Sequence, residues 1–242
     1  MTAKKTVSAL ALVCALPLTT PANAELIWSD FSLSYLHGED YEVIAPDGEM
    51  DTVTFEHASG HSWGDTFLFV DRLMPGKADS ETYGEFSPRL SLSSVTDRSL
   101  SLGPVSDVLL AGTWEFGEGF DNYLYGLGFA IDVPGFRYFN VNLYKASNDV
   151  WDNDEQLTLT WGYPFTLGTA DFLIDGFLDW SSRSDSNASE MNFTPQLKWN
   201  AGKHLGLKQP LYVGIEYSHW NNKFGIQNRD ERNASLLLKW HF

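Results

Sequence analysis

The sequence predicts an all-β protein, a single transmembrane antiparallel β-barrel of twelve strands. Three observations predict it. The chain opens on a short secretory leader. The rest of the chain is rich in aromatic residues yet holds no apolar run long enough for a membrane helix. It also alternates polar and apolar side chains in segments of about ten residues, the length a tilted membrane strand needs.

The leader is expected at residues 1–24. Lys4 and Lys5 form a basic start, Val7 to Leu18 an apolar stretch, and Ala22-Asn23-Ala24 a small-x-small cleavage site. That stretch falls short of the ~20 residues a spanning helix requires, so cleavage after Ala24 is expected. The barrel domain then runs from 25 to 242, exported to the outer membrane of a Gram-negative envelope.

Removing the leader sharpens the composition. The single cysteine, Cys14, lies inside it, so the expected mature chain has no disulfide. Of 16 basic residues, 14 remain after Lys4 and Lys5 leave, against 32 acidic ones, and the formal charge moves from −16 to −18. Such a surface repels nucleic-acid phosphates, which removes nucleic acid from the partners. Acidity on this scale also occurs in disordered chains, but nine Trp, ten Tyr and sixteen Phe argue against that.

Twelve alternating segments are expected near 28–37, 51–58, 62–72, 84–93, 106–116, 123–132, 135–145, 156–165, 170–180, 190–200, 210–220 and 232–242. The even count places both termini on one side of the membrane. The last segment is the clearest. Ala234, Leu236, Leu238, Trp240 and Phe242 share one face, and Ser235, Leu237, Lys239 and His241 share the other. Successive strand side chains point to opposite faces, so the first set meets lipid and the second the lumen. Trp and Tyr gather at the ends of other segments, as interfacial girdles require.

The connections alternate too. Outer loops are expected at 38–50, 73–83, 117–122, 146–155, 181–189 and 221–231, with tight turns near Ser59-Gly60, Val133-Pro134 and Thr166–Thr169. Ser94–Val105 and Ala201–Pro210 are long for turns on that side. The acidic loop holding Asp149, Asp152, Asp154 and Glu155 lacks the glycine and terminal glutamate spacing of a calcium loop, so no metal site is assigned.

Two segments carry residue types capable of chemistry. His57 and Ser59 share a strand face and resemble the His-x-Ser pair of the outer-membrane phospholipase A. There the pattern continues Asn-Gly, whereas here Gly60-His61 comes next, and no enzyme is expected. In Trp63-Gly-Asp-Thr-Phe-Leu-Phe-Val-Asp71, alternation turns Asp65, Phe67, Phe69 and Asp71 inward. Aromatic faces in a polar pore offer stacking surface to planar rings, and neighbouring carboxylates accept hydrogen bonds from sugar hydroxyls. The same parity places Tyr138, Asn140, Asn142, Tyr144, Asp175, Phe177, Tyr212 and Glu216 inside, with Arg89 and Lys198 positioned to neutralise Glu85, Asp175 or Glu216. Twelve strands enclose a narrow lumen, wider than an eight-stranded barrel and tighter than a sixteen-stranded porin.

The segment Phe55-Glu-His-Ala-Ser-Gly-His-Ser-Trp-Gly-Asp-Thr-Phe-Leu-Phe-Val-Asp71 resembles the hallmark of the Tsx/OmpK family, the nucleoside-specific channel-forming outer-membrane proteins. Trp28-Ser-Asp30, Tyr83-Gly-Glu-Phe-Ser-Pro-Arg89 and the closing Leu236-Leu-Leu-Lys-Trp-His-Phe242 extend the resemblance over essentially the whole mature chain. The resemblance implies a monomeric twelve-stranded barrel that passes nucleosides or similar ring-bearing solutes without a cofactor, some members serving as phage receptors. The lining set expected from parity is Asp65, Phe67, Phe69, Asp71, Tyr138, Tyr144, Asp175, Phe177, Tyr212 and Glu216. The competing reading is a surface protein whose acidic loops dock a phage or another ligand.

Overall fold

The computed structural model describes residues 24–242, so all of the expected leader but Ala24, Cys14 included, lies outside the described residues. Twelve strands run in succession: β1 Leu26–Gly38, β2 Met50–His61, β3 Gly64–Pro75, β4 Glu81–Ser91, β5 Val105–Gly117, β6 Phe120–Ile131, β7 Tyr138–Ser147, β8 Glu155–Leu167, β9 Ala170–Ser181, β10 Glu190–Asn200, β11 Leu211–Asn221 and β12 Glu231–His241. Each pairs antiparallel with its neighbours in sequence, and β1 pairs with β12 to close the barrel. Closure removes both sheet edges, so every strand satisfies its backbone groups within the protein, as a bilayer demands.

The seam is in register from Ser32 opposite His241 to His37 opposite Leu236. At its foot the Phe242 amide donates to the Phe31 carbonyl (3.0 Å), and the two rings stack with centroids 6.2 Å apart. The carboxyl-terminal aromatic thus fixes the last strand against the first.

Burial is inverted relative to a soluble protein. The most deeply buried side chains are polar: Lys198, Glu231, Asn233, Ser32 and Ser235. Leucine, tryptophan and tyrosine cover the outside, with Leu236 at 66% exposure. Along β12 buried and exposed residues alternate strictly from Glu231 to Trp240. Directly paired residues share a face, so this parity propagates around the barrel through the cross-strand register.

The two ends differ. At the end carrying both termini, the two long connections fold into short helices. Helix α1 (Leu92–Thr96) is capped by Ser91, whose hydroxyl accepts from the Ser94 amide, and α2 (Ala201–His204) by Asn200, which accepts from Lys203 N. These helices account for the length that a simple turn does not. The turn expected at Ser59-Gly60 instead falls at Ser62 and Trp63, because β2 continues to His61. Strand β7 starts at Tyr138 rather than 135, because Pro134-Gly135 turns the chain, with Gly135 at φ 88 and the Phe136 amide bonded to the Val133 carbonyl.

At the opposite, loop end, the expected loop at 117–122 contracts to Glu118 and Gly119. The positive φ of Gly119 (89°) makes that tight turn. The loop 39–49 does not stand out into solvent. It folds over the lumen and is tied to β12: Asp40 N donates to Asn233 Oδ1 (3.0 Å), the Tyr41 hydroxyl bonds Ser235 Oγ (2.8 Å), and Glu42 N donates to Glu231 Oε2 (2.8 Å).

Candidate functional site

Register places all ten expected lining residues on the inner face. Asp65, Phe67, Phe69 and Asp71 stand opposite the inward Arg89, Ser87, Glu85 and Tyr83 of β4. Tyr138 and Tyr144 face in with Gly162 and Gln156, Asp175 and Phe177 with Gln196 and Thr194, and Tyr212 and Glu216 with Lys239 and Ser235.

They do not form one cluster. Tyr138 and Tyr212 lie at the mouth carrying the termini, on the first and second residues of their strands. Tyr144 packs with Ala111, Leu124 and Ala146 in an apolar patch on the β5–β7 wall, leaving little of its ring for a solute. Asp65 is held by Arg89 through two bonds, Nε to Oδ1 at 2.8 Å and Nη2 to Oδ2 at 2.6 Å. Asp175 accepts from Lys198 Nζ at 2.6 Å. Both carboxylates are thus engaged by a cation, although Asp175 Oδ1 is buried without a hydrogen-bond partner.

Of the expected rings, Phe67 and Tyr138 are exposed, and Phe69, beside Phe67, and Phe177 are half-buried. Phe67 is 39% exposed although it points inward, so the lumen beside it is unfilled. From there an aromatic ladder climbs the wall. Phe67 and Phe69 centroids are 6.0 Å apart, Phe69 meets Tyr83 edge-on at 5.7 Å, and Tyr83 lies 6.2 Å from Phe120 at the loop end. Tyr83 and Phe120 escape a sequence reading because each falls just outside the apolar alternation that marks its strand.

Charge is arranged in two levels. Arg89, Lys198 and Lys239 each lie two residues from the terminus-bearing end of their strands. All three are paired: Arg89 with Asp65, Lys198 with Asp175, and Lys239 with Glu56. Toward the loop end, Asp71, Glu85, Glu115 and Asp179 lie two to four residues from the end of their strands. Neutral donors hold all four. Thr54 donates to Asp71 (2.6 Å), Tyr83 to Glu85 (2.6 Å), Asn122 to Glu115 (3.0 Å), and Thr158 to Asp179 (2.5 Å). Glu85 and Glu115 are direct cross-strand partners, and Asp179 and Asp71 are within electrostatic reach of Glu85.

Above this level sits the one buried cation of the loop end among the described residues. Lys223, in the 3₁₀ turn Lys223–Gly225, pairs with Glu231, both nearly inaccessible to water. Its Nζ also lies 4.7 Å from the Trp220 ring centroid and 5.8 Å from that of Tyr41. Burial pushes the Lys223 ammonium below its usual range against the pull of Glu231, and pushes the Tyr41 hydroxyl up to about 12. Loop 39–49 and Lys223 therefore form a tied cover at the loop end.

The catalytic alternative has no geometry. His57 and Ser59 lie on the odd-numbered face of β2, away from the lumen. His57 stacks on Phe31 at 4.2 Å, and Ser59 bonds His61 and Thr66 rather than His57.

The family model described as Domain of unknown function (DUF5020) matches residues 31–242. The chain belongs to that family. Within this DUF5020 barrel the match covers every strand, β1 from its sixth residue onward. The chain is 28% identical over 193 residues to outer membrane protein OmpK of Vibrio parahaemolyticus, covering 69% of this chain and 73% of the relative. A second OmpK, from Vibrio parahaemolyticus serotype O3:K6 (strain RIMD 2210633), is 26% identical over 181 residues, covering 62% and 67%. Among solved structures, the KdgM porin superposes with a TM-score of 0.53 at 11% identity, covering 87% of this chain and 99% of the porin. The same porin, solved in complex with disordered oligogalacturonate, gives the same score. This likeness shows the fold. The protein is a closed twelve-stranded barrel with the fold of the KdgM porin, and its sequence is similar to that of an outer-membrane protein.

Proposed function

We propose that the barrel is a passive channel for nucleosides or similar small ring-bearing solutes. The observation that carries this reading is the inward Phe67–Phe69 pair, Phe67 exposed and Phe69 half-buried, continued by Tyr83 and Phe120. A neutral solute is not concentrated by the field of the pore. Its selection must come from contacts that need a planar base and a hydroxylated sugar. The ladder supplies the first, and half-buried inward carboxylates, Asp71 and Glu216 among them, supply acceptors for the second.

Planar-bilayer conductance with and without nucleosides tests the reading. Nucleosides are expected to block ion current reversibly in the intact channel. Truncating Phe67 or Phe69 to Ala removes one stacking surface, a loss of ~1–3 kcal/mol that raises the half-blocking concentration roughly 5- to 150-fold. Ion conductance stays the same or rises. Block that is unchanged in both variants retires the assignment of these rings.

A further inference from the structure

We infer that the lumen discriminates by charge, passing cations in preference to anions, and that Asp71, Glu85, Glu115 and Asp179 are the selectivity residues. This rests on the channel reading but not on nucleosides being the solute.

The inference comes from a contrast between the two levels of the pore. Near the terminus-bearing end, each inward cation is matched by a carboxylate: Arg89 by Asp65, Lys198 by Asp175, Lys239 by Glu56. A matched pair contributes little net field to a passing ion. Toward the loop end the four carboxylates are held by Thr54, Tyr83, Asn122, Thr158 and Gln156, neutral groups that orient an acidic oxygen without cancelling its charge. Lys223, the cation above them, is committed to Glu231. The four strands that carry the belt include three consecutive ones, β3, β4 and β5, and β9. The belt thus meets a permeating ion from two sides of a narrow, low-dielectric passage, where fixed charge acts most strongly. Rings of carboxylates in such a passage favour cations and repel anions.

The aromatic ladder runs through the same level, since Tyr83 donates to Glu85 and stands between Phe69 and Phe120. An aromatic face beside a carboxylate suits a ring that carries a positive charge better than one that carries none. Benzylammonium, benzyl alcohol and benzoate share one ring and differ in charge, so they separate the ladder's contribution from that of the belt.

Reversal potential in a potassium chloride gradient is the primary test, measured on the purified full-length barrel in a planar bilayer. The intact channel is expected to reverse on the potassium side of zero. The variant carrying Glu85→Gln and Glu115→Gln keeps side-chain size and hydrogen bonding, and its reversal potential is expected to shift toward zero. Asp71→Asn with Asp179→Asn serves as the second variant if the first does not assemble. Half-blocking concentrations should rise from benzylammonium to benzyl alcohol to benzoate in the intact channel, and the spread should collapse in the Gln variant. A reversal potential at zero or on the chloride side, or one that either assembled variant leaves in place, overturns the inference. Loss of nucleoside block with potassium preference retained would overturn the proposed substrate and leave this inference standing.

Discussion

Lys239 on β12 reaches across β1 to pair with Glu56 on β2, bridging from within the seam where the chain's two ends meet. Ser32, on the intervening strand, donates to the same carboxylate at 2.8 Å. The first, second and last strands are therefore locked by one inward charge pair.

Removing one partner strands the other in the lumen wall. Glu56→Gln is expected to destabilise the barrel by about 3–5 kcal/mol, the usual cost of an uncompensated buried charge. Adding Lys239→Met to it should recover most of that loss. Denaturant titration of the two single variants and the double in lipid vesicles checks this, and simple additivity would show that the pair is not coupled.

Leu236 points into lipid and Thr160 into the lumen, and their responses to arginine should differ. Leu236→Arg places a charge in hydrocarbon and is expected to cost about 2–4 kcal/mol near the midplane. Thr160→Arg, at a half-exposed inward position opposite Phe177, should cost clearly less. Equal losses in the same unfolding assay would show that the strand parity is wrong.

The cover at the loop end depends on Glu231, which accepts from Glu42 N, Ser218 Oγ and Lys223. Glu231→Gln removes the counter-charge of Lys223 and weakens the tie to loop 39–49. Single-channel recordings are expected to show a larger mean conductance and more frequent fluctuations than the intact channel. Unchanged conductance and noise would mean that this loop does not limit flow.

Asp154 carries the pH dependence of the loop 148–154. Burial, the largest influence, raises its carboxyl above the ordinary 3.8, opposed by hydrogen bonds from Asn187 and Asn148. A carboxyl raised in the docked loop binds its proton more tightly there than when free. The proton therefore stabilises docking fully below the ordinary value, and this contribution is lost as pH rises through the raised one. Amide exchange, corrected for its intrinsic pH dependence, should show more protection over 148–154 on the acid side. Asp154→Asn should abolish the difference.

Much of the barrel is legible because strand side chains alternate with period two and lipid enforces the apolar set strictly. That is why Leu236, Leu238 and Trp240 reveal the outer face of β12, and why ten inward residues can be read from parity. Parity does not reveal how full the lumen is. Leu237 reads as a pore-facing position, yet it is 2% exposed, on the same face of β12 as the Asn233 and Ser235 that loop 39–49 binds. Nor does parity pair charges one to one: it offers Glu85, Asp175 or Glu216 to Arg89 and Lys198, whereas the structure gives Asp175 to Lys198 and Asp65 to Arg89. Glu115 is hidden for another reason. Its inward neighbours on β5 are Leu109, Ala111 and Thr113, so the face reads as mixed rather than polar.

The two charge levels also make the pore unequal end to end. Its unpaired carboxylates lie toward one mouth, while the other is lined by matched ions. A conduit with lopsided fixed charge accumulates mobile salt under one polarity of voltage and is depleted under the other, so its current–voltage curve bends. The barrel should behave as a weak ionic diode, and the sense of the bend would report which way round each molecule has entered an artificial bilayer.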